Sequence, residues 1–424
     1  MNSSTILSLK EIPLQADLFE RYRIVRETTR WICEPLTIED CVVQTAIECS
    51  PVKWQLAHTT WFFETFVLIA HDTSYKPFHS KFNYLFNSYY NAVGARTPRD
   101  LRGQMSRPTM EEVWHYREHV DRAMERFCRH ELPEDIFRTI ELGLNHEQQH
   151  QELIVTDVKT VLAMNPLRPV YREREIRSAA VPAHAWVSFD EGLYEFGARG
   201  NDFYFDNEGP RHRQYLDSFA IGNRLITCGE YLAFIRDGGY RTPSLWLSDG
   251  WARVAEEAWN APKYWEPIED EWWQMTLQGL RRIEDSEPVV HVSHYEADAF
   301  ATWYGARLPT ELEWELVATN HPPKGNFLEN GNFHPVPLDV NSEPIGQLFG
   351  DVWEWTRSAY LPYPGFTVAP GALGEYNGKF MSNQMVLRGG SCVTPRHHIR
   401  PTYRNFFPSE SRWQFSGIRL ATTA

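Results

Sequence analysis

The sequence lacks a CxxC pair, a cationic leader, an apolar run of membrane length and any excess of positive charge. Each absence removes a class of function. The six cysteines (Cys33, Cys41, Cys49, Cys128, Cys228 and Cys392) are scattered, which argues against a cysteine-ligated zinc or iron–sulfur site. Their pattern fits reduced thiols in a cytoplasm better than a disulfide framework. A formal charge of −14 argues against a nucleic-acid partner, which needs a basic field, and gives no reason to expect anionic membranes. The longest apolar run, WFFETFVLIA (61–70), is too short to span a bilayer and carries Glu64. The opening MNSSTILSLKEIPLQADLFERYR has no cationic start followed by an apolar core, so no signal peptide is expected.

What is abundant is aromatic: 16 Trp, 19 Tyr and 24 Phe, enough to line concave surfaces as well as fill cores. A chain of 424 residues exceeds what one hydrophobic core usually holds, so two or three domains are expected. Residues 1–165 read as helices. LQADLFERYRIVRETTRWIC (14–33) has helical apolar spacing. A second helix is expected from Ser50-Pro51, with Ser50 as N-cap, to His71. A third opens at the capping-box pattern Thr109-Met110-Glu111-Glu112. The fourth runs from near Pro133 until Asn165-Pro166 stops it. Together they predict a four-helix bundle with one long connection, 72–108. Residues 166–185, proline-bearing and charged, read as a linker. Beyond them, 186–424 alternate short strand-like runs with Gly, Pro, Asn and Asp. Two helical segments (228–238 and 295–307) interrupt these runs, which predicts an irregular α+β domain. No internal repeat is evident.

Chemistry concentrates in LNHEQQHQE (144–152). On a helix His146 and His150 share one face, a turn apart, so both imidazoles can reach one metal. An HxxxH pair alone equally describes two solvated histidines. His58, in WQLAHTTWFFE, sits mid-helix among Trp54, Leu56, Trp61 and Phe62, where an unpaired imidazole is costly. It is either a hydrogen-bonded core histidine or the third ligand of a facial site. Glu152 lies roughly 200° around the helix from His150 and is better placed to support than to ligate. Three imidazoles suit Zn, Fe, Cu or Ni, and three ligands on one face leave coordination positions open. In the long connection, Tyr89-Tyr90 are either packed loop aromatics or phenolic proton donors. Arg96, Arg99 and Arg102 either balance charge or grip a substrate carboxylate.

Whole segments resemble known families. The HxxxHxE element with its upstream histidine is similar to a DinB-type bundle. NEGPRHRQYLDSFAIGNRLITCGEYLAF (207–234), PVVHVSHYEADAFATWYGARLPTELEWE (288–315), GDVWEWT (350–356), LRGGSC (387–392) and FSGIRLA (415–421) resemble the formylglycine-generating-enzyme/sulfatase-modifying-factor domain, which is C-type-lectin-like. The two in this order resemble the non-heme iron sulfoxide synthases of ergothioneine biosynthesis, the EgtB type. FNSYYNAVG and RNFFP…RWQFSGIRLA resemble the subgroup that uses free cysteine.

The resemblance implies an Fe(II)- and O₂-dependent C–S bond between L-cysteine and imidazole C2 of hercynine, with oxidation of sulfur to the sulfoxide. It implies that His58, His146 and His150 bind iron and that Tyr89 or Tyr90 supplies a proton. Gln149 and Asn405 would contact hercynine, and Arg99 and Arg102 would hold the cysteine carboxylate. Phe406, Phe407 and Trp413 are candidates for an aromatic wall against the trimethylammonium group, or for core packing. Where Phe407 stands, the γ-glutamylcysteine-using branch carries an acidic residue nearby, so the smaller thiol is expected. Cys392 has no second cysteine after it, so copper chemistry of the formylglycine-generating kind is not expected, and the domain is expected to act as a wall of the active site. Rival readings are a selenoneine synthase, an ovothiol-type histidine–cysteine synthase, a non-enzymatic metal- or ligand-binding protein, and a zinc hydrolase, the last lacking an evident general base.

Overall fold

A computed structural model describes residues 12, 16–174, 178–200, 202–339, 344–368 and 372–423. Contacts divide the chain between Met164 and Asn165 into two units, the first of which also takes in Pro395–His398. No helix among the described residues is long and apolar enough to cross a membrane.

The first unit is built on four long helices: α1 (Leu18–Cys33), α2 (Val52–Phe63), α3 (Met110–Phe127) and α4 (Glu134–Met164). Their ends follow local chemistry. Asp17 caps α1 by accepting from the Glu20 backbone N–H at 2.8 Å. Thr109 and Glu112 close a reciprocal capping box on α3. All twelve residues of α2 are buried, as expected of a helix that is apolar around its circumference. It packs against both α3 and α4, and α4 also packs on α1.

The start of α2 corrects the expected cap. Pro51 occupies the N-cap position, and no side chain caps the helix. The Ser50 hydroxyl instead accepts from Arg102 Nη1 at 2.9 Å, and the Ser50 N–H donates to Asp157 Oδ2 at 2.9 Å. Preceding a proline, Ser50 is also held away from helical dihedrals. The second helix does continue to His71, but through a π-helical turn at Glu64–Leu68. The buried Glu64 carboxylate there accepts from Tyr75 Oη at 2.7 Å and Tyr116 Oη at 2.6 Å.

The second unit is a set of small sheets with short helices. Trp186–Phe189 and Ala421–Thr423 flank Phe219–Gly222, all antiparallel, so the last strand closes a sheet begun at Trp186. A four-stranded sheet runs in the order Asn405–Phe407, Met385–Arg388, Trp353–Ala359, Ser416–Gly417. The two expected helices form as α5 (Cys228–Arg236) and α6 (His294–Tyr304), with capping boxes at Thr227 and Ser293. Gly305 ends α6 at φ 77°, a left-handed conformation that glycine adopts without a Cβ clash. A further helix, α7 (Glu311–Ala318), opens at the capping box of Thr310 and Glu313. The sequence reading passed over it, as it did Ser248–Glu256.

The unit's core carries buried charge. Arg388 Nη2 donates to Glu311 at 3.0 Å and Glu315 at 2.9 Å, and Arg404 pairs with Glu311. Arg419 forks onto Glu354, which also accepts from Trp314 Nε1. Part of the stretch read as a linker is packed on this unit. Tyr171 is buried, its N–H donates to Leu277 O at 2.9 Å, and Arg168 pairs with Glu266. Residues 175–177 of that stretch lie outside the described residues.

Candidate metal centre

His58 projects from the middle of α2, and His146 and His150 project from one face of α4. One ring nitrogen from each lies within 4.8 Å of the others, and His58 Nε2 stands 3.2 Å from His146 Nε2. His58 and His146 are buried, and His150 is half-buried. Burial, which disfavours the imidazolium, brings His146 down to about 3 and His58 and His150 well below the usual histidine range. For His58 and His150 the neighbouring ligand histidines add to the effect. All three are therefore neutral imidazoles at physiological pH, the form that binds metal.

The outer nitrogens are tied down. His58 Nδ1 faces the Phe86 carbonyl at 2.6 Å, and a carbonyl only accepts, so Nδ1 carries the proton and Nε2 the inward lone pair. His150 Nδ1 faces Gln55 Oε1 at 3.1 Å. This donor set fits a transition-metal ion. Cis ligands each about 2.1 Å from one ion stand about 3.0 Å apart, close to the observed His58–His146 separation. Lone pairs brought together in a buried pocket are favourable only with a cation or proton between them.

The orientation of α4 is fixed from its other side. Glu147 is fully buried and lies about 100° around the helix from His146. It accepts from Arg26 Nη1 and Arg117 Nη2, each at 2.8 Å, and from Thr29 Oγ1 at 2.7 Å. Burial pushes this carboxyl up, but Arg26 and Arg117 outweigh it and hold it at about 2. This charge-paired side faces α1 and α3, leaving the imidazole side to face α2. Asn145, one residue before His146, has its Oδ1 3.1 Å from His398 Nδ1. Glu152 is buried on α4 but stands outside the imidazole cluster.

Rings surround His58. Trp54 stacks on it with centroids 4.6 Å apart and Trp61 at 5.5 Å, both within 17° of parallel. Tyr90 is fully buried against Trp61 and Phe66, and Tyr89 stacks on Tyr90 at 4.7 Å. The tyrosine pair thus lies one ring beyond the His58 stack. Arg102 lies over the Trp54 ring at 3.4 Å and is buried. Burial, together with Arg99 and Arg96, brings its guanidinium down to about 9. Its Nε has no hydrogen-bond partner among the described residues. Arg99 is exposed and donates to the Glu48 carbonyl, and Arg96 donates to Asn91. Gln149, one residue before His150, is half-buried.

The remaining sequence candidates belong to the second unit. Asn405, Phe406 and Phe407 form a half-buried strand of the four-stranded sheet. Phe406 stacks on Tyr360 at 4.0 Å and 9°, an intimate packing contact. Phe407 and the half-buried Trp413 meet edge to face at 5.9 Å. Cys392 is fully buried.

Sequence reading missed Gln55, Asp157 and the Arg26–Glu147–Arg117 cluster. A signal was present in α2: polar Gln55, Thr59 and Thr60 inside a helix buried on every side.

Comparison with known proteins adds the wider context. The sulfatase-modifying factor enzyme 1-like domain matches residues 172–337 and 330–424. The chain is 34% identical over 327 residues to the hercynine oxygenase of Mycolicibacterium thermoresistibile, covering 68% of this chain and 70% of that protein. The hercynine oxygenase of Mycolicibacterium smegmatis is likewise 34% identical over 327 residues, covering 68% and 73%. Ergothioneine biosynthesis protein 1 of Schizosaccharomyces pombe is 30% identical over 234 residues, covering 51% of this chain and 28% of that protein.

Proposed function

Because the chain belongs to the hercynine oxygenases, the sulfoxide synthases of ergothioneine biosynthesis, we propose that it joins the thiol of L-cysteine to imidazole C2 of hercynine with Fe(II) and O₂. The balance is one C–H and one S–H bond lost, one C–S and one S–O bond made, and one molecule of water released per O₂. The observation that carries the reading is the convergence of three neutral imidazoles, with His58 held in its tautomer by a backbone carbonyl. His58, His146 and His150 would hold the iron, which when bound supplies O₂ activation and a template for the two substrates. We assign the helical unit to the DinB-like type.

The chain's own groups take the other roles. Arg102 is a buried cation stacked on Trp54 and has no carboxylate partner among the described residues, which suits it to the cysteine carboxylate, with Arg99 at its side. Tyr89 and Tyr90 hold phenolic protons near the His58 stack, for delivery to reduced oxygen. Gln149 and Asn405 are assigned to hercynine. The trimethylammonium group is assigned to an aromatic wall drawn from Phe406, Phe407 and Trp413.

The test is product analysis by mass spectrometry on enzyme loaded anaerobically with Fe(II) and then exposed to O₂. Hercynine with cysteine should give hercynylcysteine sulfoxide. Histidine with cysteine, hercynine with γ-glutamylcysteine and hercynine with a selenosugar should each give less product. A faster reaction with histidine would replace hercynine as the acceptor, and a faster one with γ-glutamylcysteine or the selenosugar would replace cysteine as the donor.

A further inference from the structure

Gln55 is 1% exposed and Asp157 4%, and neither has a part in the chemistry above. Gln55 Oε1 faces His150 Nδ1 at 3.1 Å, while Gln55 Nε2 donates to Asp157 Oδ2 at 2.8 Å and to the Ser50 carbonyl at 3.3 Å. Which end of a glutamine amide carries the NH₂ group is decided by its partners. Here the Ser50 carbonyl can only accept. Asp157 Oδ2 already accepts from the Ser50 backbone N–H at 2.9 Å, so it too acts as an acceptor. Both acceptors demand the NH₂ group, which turns the amide oxygen towards His150. That oxygen can only accept, so His150 must carry its proton on Nδ1 and present the Nε2 lone pair to His58 and His146.

We propose that Gln55, locked by Asp157 and the Ser50 carbonyl, is a positioning residue that sets the tautomer and ring orientation of His150 for metal binding. The inference rests on the triad being the metal site. It does not depend on the charge of Asp157. Burial pushes that carboxyl up to about 7, yet Oδ2 accepts from a backbone N–H in either protonation state. The same Ser50 receives Arg102 on its hydroxyl, so one residue braces both the metal ligand and the proposed carboxylate clamp.

Outer partners of metal-bound histidines typically contribute about 10–100-fold in metal affinity. Fe(II) affinity is measured anaerobically by chelator competition, alongside the ligand-field spectrum of the Co(II)-substituted protein. Gln55→Leu should weaken Fe(II) binding by about 10–100-fold and alter the Co(II) spectrum. Asp157→Asn, whose carbonyl can still accept from Ser50 and Gln55, should behave as wild type. Asp157→Ala should weaken binding by freeing the amide, and should add nothing in the Gln55→Leu background because both act through one bond. If Gln55→Leu does not fold, the contrast between Asp157→Ala and Asp157→Asn decides. Wild-type affinity and spectrum in Gln55→Leu, or independent additive losses in the double variant, would overturn the positioning role while leaving the metal site standing. A wild-type protein that binds no stoichiometric Fe(II) would overturn the metal site and this inference with it.

Discussion

In the second unit Arg388 lies between Glu311 and Glu315, and Arg419 closes on Glu354. In the helical unit three imidazoles, two of them buried and one half-buried, converge across α2 and α4. Both regions put polar groups where water does not reach. In the second unit's Arg388 and Arg419 clusters each charge meets its opposite. The first unit does the same on one side of α4, through Arg26, Glu147 and Arg117. On the other side it gathers groups of one kind, three imidazoles. Complete clusters specify a fold, whereas a set of like donors specifies a ligand.

The largest way to break this contrast is to remove a ligand. His58→Ala or His150→Ala is expected to abolish stoichiometric Fe(II) binding and C–S bond formation while the chain stays folded. Metal analysis with circular dichroism checks this, and turnover in either variant would refute the triad. Next, Tyr89→Phe with Tyr90→Phe is expected to slow sulfoxide formation by about 10²–10⁴-fold. Thiol oxidation without coupling should rise in that variant, so an unchanged product ratio would remove the phenols from the chemistry. Arg388→Ala should do the reverse of the histidine variants. It leaves Glu311 and Glu315 buried without that partner and should destabilise the second unit by about 3–5 kcal/mol in denaturant unfolding. Fe(II) stoichiometry in the folded fraction should not change.

The smallest effect sharpens the comparison through pH. His146 has a lowered folded value of about 3, so its stabilising contribution is present above the unfolded value near 6.5 and lost as pH falls towards 3. Glu147, held at about 2, adds to acid lability below the usual carboxylate range. Asp351 in the second unit is raised to about 6 by burial, against hydrogen bonds from Asn326, Val336 and Gln347. Its contribution is full below about 3.8 and lost as pH rises through 6. Asp351→Asn should flatten that decline in thermal unfolding measured across the window, and an unaltered slope would discount Asp351.

The long helices were legible because their signals are local: Thr109 with Glu112 for a start, Asn165-Pro166 for a stop, and apolar spacing between. The three histidines stood out because His58 falls in an apolar run and His146 and His150 share a face. The Ser50 cap was misread because its hydroxyl is taken by Arg102, fifty-two residues away in sequence. Gln55 and Asp157 are invisible for the same reason, since their partnership spans 102 residues. In the second unit, the closure of Phe219–Gly222 by Ala421–Thr423 left no mark in either segment alone. Phe406, Phe407 and Trp413 looked alike as letters, and only the face-to-face contact with Tyr360 sets Phe406 apart.

The stacking of Trp54 and Trp61 on the two sides of His58 has an optical consequence. Both indoles are buried, and both lie against a ring that would change its electronic state on ligation. An open-shell ion at the triad would quench their emission at the blue edge of the protein's fluorescence, where buried indoles emit. With such an ion bound, the two indoles would report loading without a label, and Trp61→Phe would dim the signal without removing a ligand.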